Sequence, residues 1–213
     1  MNMGKLESIE VPNMYYNLKA APAIIFDLRN YPNGTLWNLG SLFFPEPIIS
    51  GKFQTPALTD VYNQNYLPGW YYLSNDGSNL GNWSNPNYYN GKVYILVNQE
   101  TQSQAEYTCQ YLSYHPNAKV IGNQTAGADG NVSYLTLPGG ILTYFTSLGC
   151  YYADGYQQQR NGVKIDTIVS PTIEGLRKGI DEILQAALNC STGLKQVENK
   201  NISTNIYPNP TTN

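Results

Sequence analysis

Apolar residues gather in short runs separated by turn chemistry. Residues 23–27, AIIFD, form a continuous apolar run that closes on an acid and passes into LRNYPNG, a pattern that predicts a buried strand delivering a loop at its C-terminal end. GKVYILVN, residues 91–98, is β-branched and apolar and predicts a second buried strand. It leads through Gln99-Glu100-Thr101 into SQAEYTCQYLSY, where Ala105, Cys109 and Leu112 recur at helical spacing until His115-Pro116-Asn117 ends the helix. The short apolar run AKVIG, ending at Gly122, completes a strand-helix-strand unit in which parallel pairing is the default.

Residues 135–137 and 141–145 flank Pro138-Gly139-Gly140 and predict a hairpin. Ser170-Pro171 supplies an N-cap followed by proline, and Ile173, Leu176, Ile180, Ile183 and Ala187 keep one apolar face; one closing helix of about four turns is expected. Residues 44–90 are dense in Pro, Gly, Asn and aromatics, Trp70, Tyr71, Tyr72, Trp83, Tyr88 and Tyr89 among them, and read as a long surface excursion suited to binding or to a lid. After Asn189 the chain loses hydrophobicity and reads as a linker.

Composition narrows the partners. The 213 residues are 41% apolar and only 13% charged, with 12 Lys+Arg, 15 Asp+Glu and a net charge of -3, so one domain with a real core is expected. A mildly acidic chain without a Lys/Arg cluster lacks the footprint of a nucleic-acid binder. No apolar run approaches the roughly 20 residues of a membrane span. Cys109, Cys150 and Cys190 have neither CxxC spacing nor a neighbouring histidine, which argues against structural zinc and for buried small hydrophobes. Asn75-Asp76-Gly77-Ser78-Asn79 imitates part of a calcium loop but lacks its terminal bidentate acid; no metal or organic cofactor is expected. The N-x-[ST] sequons are those chance supplies in so Asn-rich a chain.

Candidate chemistry centres on Ser103, where a buried strand hands over to a helix. That position exposes a hydroxyl at the positive end of a helix dipole and suits a nucleophile. The same residues also satisfy an S-x-x-E capping box with Glu106, and the two readings stay open on residue type alone. Asp27 and Arg29 suit a catalytic carboxylate and a substrate clamp, although an acid ending a strand commonly bonds its own loop amides.

AIIFDLRNYPNG, YNGKVYILVNQETQSQAEY, AKVIGNQTAGADGNVSYLTLPGG and VSPTIEGLRKGIDEIL, in that order over residues 3–188, resemble the S41 peptidases, the C-terminal processing and tricorn-core proteases, particularly their secreted Bacteroidetes branch. The resemblance implies an α/β fold, the ClpP/crotonase-like spiral core of an S41 protease domain truncated on its N-terminal side. It implies serine endopeptidase activity, with Ser103 the nucleophile and the backbone N–H groups of Gln104 and Gly34 the oxyanion hole. Arg29, Asn30 and Glu106 are expected to border the groove for a peptide or protein substrate.

The chain departs from the family in its base. Where processing proteases carry a lysine the sequence reads Thr125-Ala126-Gly127-Ala128, and no histidine precedes Ala23 as the tricorn-like branch requires. His115, in a His-Pro turn, is expected to lie at the surface. A C-terminal fragment of a longer precursor is therefore expected, inactive alone because its base lies upstream. The rival is a catalytically dead cell-surface module binding peptide or glycan through residues 62–89. Residues 1–189 are assigned to the protease domain, 190–203 to a linker, and 204–213, with IYPNPTT, to the start of a type IX secretion sorting domain. That motif would engage a secretion machinery and imply an extracellular or cell-surface location.

Overall fold

A computed structural model describes residues 1–56, 70–73 and 82–192. In chain order they form α1 (Val11–Leu18), β1 (Ala23–Asp27), α2 (Leu36–Phe43), β2 (Gly51–Pro56), β3 (Trp70–Leu73), β4 (Lys92–Val97), α3 (Gln104–Ser113), β5 (Ala118–Gly122), β6 (Val132–Leu137), β7 (Ile141–Thr146), β8 (Gly149–Tyr152), β9 (Thr167–Ile168), α4 (Ile173–Lys178) and α5 (Glu182–Thr192). A parallel sheet in the order β1-β4-β5-β9 is the frame. Beside it stand an antiparallel sheet β3-β2-β8 and the hairpin β6-β7. The fold is mixed α/β.

The frame follows from burial on both faces. Strand side chains alternate, so Val93, Ile95 and Val97 of β4 join Phe26, Ala105, Cys109 and Leu112 in one core, while Tyr94 and Leu96 join Ile121, Ile183 and Ala187 in another. A strand covered by helices on both sides needs a continuous apolar run, and for that reason β4 carries no polar alternation. Phe26 packs edge-on to Phe43, and Phe44 edge-on to Tyr111, which fixes α2 against the same face. At the end of β5 the chain passes so close to β4 that a Cβ on Gly122 would stand 1.8 Å from the Val97 carbonyl oxygen; only glycine fits there.

Several sequence expectations change. The single closing helix is two, because Gly179 adopts φ 67° and stops α4 with a left-handed cap. Thr172, rather than Ser170, caps α4, its hydroxyl accepting from the Gly175 amide while itself donating to Glu182. Ile183 and Ala187 dock on the sheet, but Ile173 is 72% exposed and Leu176 and Ile180 are also open. α5 continues to Thr192, three residues into the stretch assigned to the linker. The excursion 44–90 contains β2, which pairs with β8, and its far end is pinned where Trp83 Nε1 donates to the Phe44 carbonyl and Tyr89 Oη to that of Ala21. The calcium-like Asn75–Asn79, much of the 62–89 segment, and residues 193–213 with the sorting motif lie outside the described residues.

Candidate active site

The turn from β4 to α3 is held by side chains that the strand pattern does not reveal. Buried Thr101 donates its hydroxyl to the Leu28 carbonyl (2.8 Å) and accepts from the Asn98 amide (3.0 Å), tying the turn to the end of β1. Its carbonyl accepts from the Ala126 amide at 3.0 Å, and the Ser103 amide donates to the Ala128 carbonyl at 3.1 Å. The β5-to-β6 segment is thereby laced to the turn.

Ser103 sits at φ 51°, ψ −121°. For a non-glycine residue this conformation costs on the order of 1–3 kcal/mol and persists only where the surroundings impose it. The Ser103 side chain makes no capping hydrogen bond, so the capping box is not formed. Glu106 explains why: it is fully buried, and its carboxylate accepts from Thr125 Oγ1 (2.5 Å), the Gly127 amide (2.8 Å) and the Ala128 amide (2.8 Å). A carboxylate so surrounded is an anchor for the 125–128 turn and does not border a groove.

The open space around Ser103 is a cleft of about 550 Å³ lined by Tyr31, Trp37, Phe53, Gln104, Tyr107, Asp129 and Asn131 as well as the serine. Tyr107 is its floor, with the Phe53 ring 5.6 Å and the Trp37 ring 6.4 Å from it. Trp37 is 58% exposed. Gly34 lies beside this cleft: a Cβ on it would stand 3.8 Å from Gln104 Nε2. The Gln104 amide, first in α3, has no intrahelical partner. The two amides named from the sequence thus come from loops that meet at the serine's helix.

Arg29 and Asn30 are elsewhere. Arg29 donates through Nε and Nη2 to Asp27 (2.9 and 2.7 Å) and through Nη1 and Nη2 to Asp181 (2.7 Å each), and these two acids raise its pKa further above an already high value. Asp27 also accepts from the Arg29 amide, so the acid does bond its own loop. Arg29 locks β1 to the start of α5, with four of its five N–H donors committed to the two acids. Asn30 accepts from the Gly4 amide at 2.5 Å and donates to the Asp27 carbonyl, holding the N-terminal segment. His115 is corrected from the surface to the interior: it is 2% exposed, Nδ1 accepts from the Asn117 amide, and Nε2 therefore carries the proton given to the Tyr89 carbonyl at 2.8 Å. Burial lowers its pKa. Cys109 and Cys150 are buried free thiols and Cys190 is a half-buried one.

Asp129 was not read from the sequence. It is 4% exposed, lines the serine's cleft, and accepts from the Gly130 amide through Oδ1 and from Gln158 Nε2 through Oδ2, each at 2.7 Å. Burial, with the Glu106 charge adding to it, pushes its carboxyl up to about 7. No local pattern marks it, since its partner Gln158 is distant in sequence. Among the described residues no group of three or more His, Cys, Asp or Glu is placed to hold a metal, and no helix is long and apolar enough to cross a membrane.

The site combines a parallel α/β frame with a strained serine at a strand-to-helix turn. Peptidase family S41 matches residues 2–169, and the chain belongs to that family. A candidate peptidase from Parabacteroides merdae ATCC 43184 superposes with a TM-score of 0.69 at 22% identity, covering 89% of this chain and 58% of its own. Mature CPAF complexed with lactacystin superposes with a TM-score of 0.65 at 16% identity, over 89% of this chain and 48% of its own. The tricorn protease gives 0.54 at 16% identity, over 89% of this chain and 16% of its own. The chain thus shares the fold of S41 protease domains and spans about half the length of the first two. No curated protein matches it in sequence.

Proposed function

We propose that this chain carries the nucleophile and oxyanion hole of a serine endopeptidase acting on peptide or protein substrates. The observation that carries the reading is Ser103: its backbone is held in a strained conformation at the β4–α3 turn, and its hydroxyl is not used as a cap. In this reading the hydroxyl oxygen attacks the peptide carbonyl carbon, and the Gln104 and Gly34 amides receive the oxygen that becomes negative. The aromatic walls, Tyr31, Trp37 and Phe53, take the side chains and backbone of an extended peptide. The reading extends to a secreted, Bacteroidetes-like protease. IYPNPTT at the C-terminal end would then engage a type IX secretion machinery, and the protein would act outside the cell or on its surface.

A fluorophosphonate probe tests the nucleophile. Ser103 should be the labelled residue on peptide mapping, and Ser103→Ala should abolish labelling without changing the melting temperature downward, since removing the side chain relieves nothing that holds the turn. Labelling at another serine, retained in Ser103→Ala, would overturn the assignment. Peptide binding with no labelling would favour the binding module.

A further inference from the structure

We infer that Asp129 is the proton acceptor for Ser103, built into this chain where the family's lysine position holds Ala128. The inference rests on the reading of Ser103 as nucleophile. Four observations carry it. Asp129 is the carboxylate that lines the cleft of Ser103. The Ser103 amide is bonded to the carbonyl of Ala128, the residue immediately before it, so the serine and the acid are held by adjacent points of one backbone. Glu106, the other buried acid of this region, has its carboxylate committed to three donors of the 125–128 turn. Gly130 and Gln158 each donate to one Asp129 oxygen and the Cys150 thiol is a third donor; a carboxylate offers about four acceptor sites, so one is left for a hydroxyl.

The charge environment suits the role. The groups acting on Asp129 are Glu106 and Tyr107 from α3, the Cys150 thiol from β8, the Gln158 amide side chain and the Gly130 amide; none is a cation. A structural carboxylate this buried ordinarily has a cation or a full set of donors. Asp129 has no cation among these groups and three donors for its roughly four acceptor sites, and its carboxyl, pushed up to about 7 by burial, is matched to giving and taking a proton near neutral pH.

The step balances without any further reactant. As the Ser103 Oγ–carbon bond forms, the hydroxyl proton passes to Asp129 and the carbonyl π pair moves onto oxygen. When the pair returns, the carbon–nitrogen bond breaks and Asp129 delivers its proton to the leaving amine. Water then attacks the Ser103 ester, losing its proton to Asp129, which returns it to Oγ as the acid leaves.

The test is the rate of fluorophosphonate labelling of the full chain between pH 5 and 9. Wild type should label with a rate that rises through an inflection near the Asp129 value, about 7. Asp129→Asn, nearly identical in shape, should label about 10²-fold or more slowly and lose the inflection. Should that variant fail to fold, Gln158→Leu decides: losing its donor favours protonated Asp129 and should move the inflection to higher pH. Asp129→Asn labelling like wild type, or an inflection unmoved in Gln158→Leu, overturns the acceptor and leaves the nucleophile standing. No labelling of the full chain at any pH also overturns the acceptor. Labelling retained in Ser103→Ala overturns the underlying reading instead.

Discussion

Along β4 and α3 the chain buries Val93 to Val97 and Ala105 to Leu112 without a break in either run. From Val132 to Thr146 it does the opposite: Tyr134, Ile141, Leu142 and Tyr144 are 69%, 62%, 62% and 71% exposed. β4 and the hairpin strands β6 and β7 are alike rich in apolar and β-branched residues. β4 lies between parallel neighbours and under helices on both faces, whereas β6 and β7 pair only with each other among the described residues. Hydrophobic sequence therefore marks where strands form, and the number of covered faces decides what each side chain contributes to stability. Asp129 stands at the junction, one residue before Gly130 and the start of the hairpin, in the last buried position before the chain turns outward.

The largest effect expected on the buried side is from Phe26, which is fully buried and packs edge-on to Phe43. Phe26→Ala removes a ring from a filled site and should cost about 3–5 kcal/mol, read as a lower urea midpoint with an unchanged slope. A loss under 1 kcal/mol would mean that the core around β1 repacks freely and that the contrast with the hairpin is overdrawn.

At the junction the effect depends on pH. Folding raises the Asp129 carboxyl from the ordinary 3.8 to about 7, so between those values the folded chain holds a proton that the unfolded chain releases. The folded state is then favoured most below about pH 4, and this contribution declines as pH rises to about 7, by up to roughly 4 kcal/mol at 1.36 kcal/mol per unit. Comparing urea stabilities of wild type and Asp129→Asn from pH 4 to 8 isolates it, because the other titrating groups are shared. Their difference should change steadily up to about pH 7 and level off above it. A difference that is flat with pH would show that Asp129 is already ionised in the folded chain at low pH.

How much of this was legible follows the same division. β1, β4, α3, β5 and the hairpin were readable because each satisfies its period and turn chemistry locally. The strand-helix-strand unit placed Ser103 at its turn, and the resemblance named Gly34 and Gln104. β2, β8 and β9 were not readable, since their partners lie far along the chain and short mixed strands such as GKFQTP and GCYY carry little periodicity. α1 and α2 were missed for a related reason: Asn and Gly inside each, at Asn13, Asn17, Asn38 and Gly40, weaken local propensity, and it is packing of Met14, Leu39 and Phe43 on the core that forms them. The roles of Arg29, Glu106 and Asp129 were hidden because each is decided by what meets it in space. Arg29 meets Asp181, Glu106 meets the 125–128 turn, and Asp129 meets Gln158.

The smallest effect belongs to the hairpin. Leu142 is exposed and faces Thr136 across the ladder, so Leu142→Ser removes little buried area and keeps every backbone bond of the strand pair. Unfolding free energy should change by no more than about 0.5 kcal/mol. The turn itself has the residues its geometry needs, with Gly139 and Gly140 at φ 87° and 77° closing the Leu137–Ile141 pair, and Ser133 and Ser147 share a side-chain hydrogen bond at 2.5 Å near the open end. Register is thus set by the turn and the base, and not by Leu142. A loss of 2 kcal/mol or more, measured on dilute protein, would show that Leu142 is covered in solution. Repeating the measurement over a hundredfold range of concentration would then distinguish cover by another copy, which adds a concentration-dependent term, from cover by the same chain, which does not.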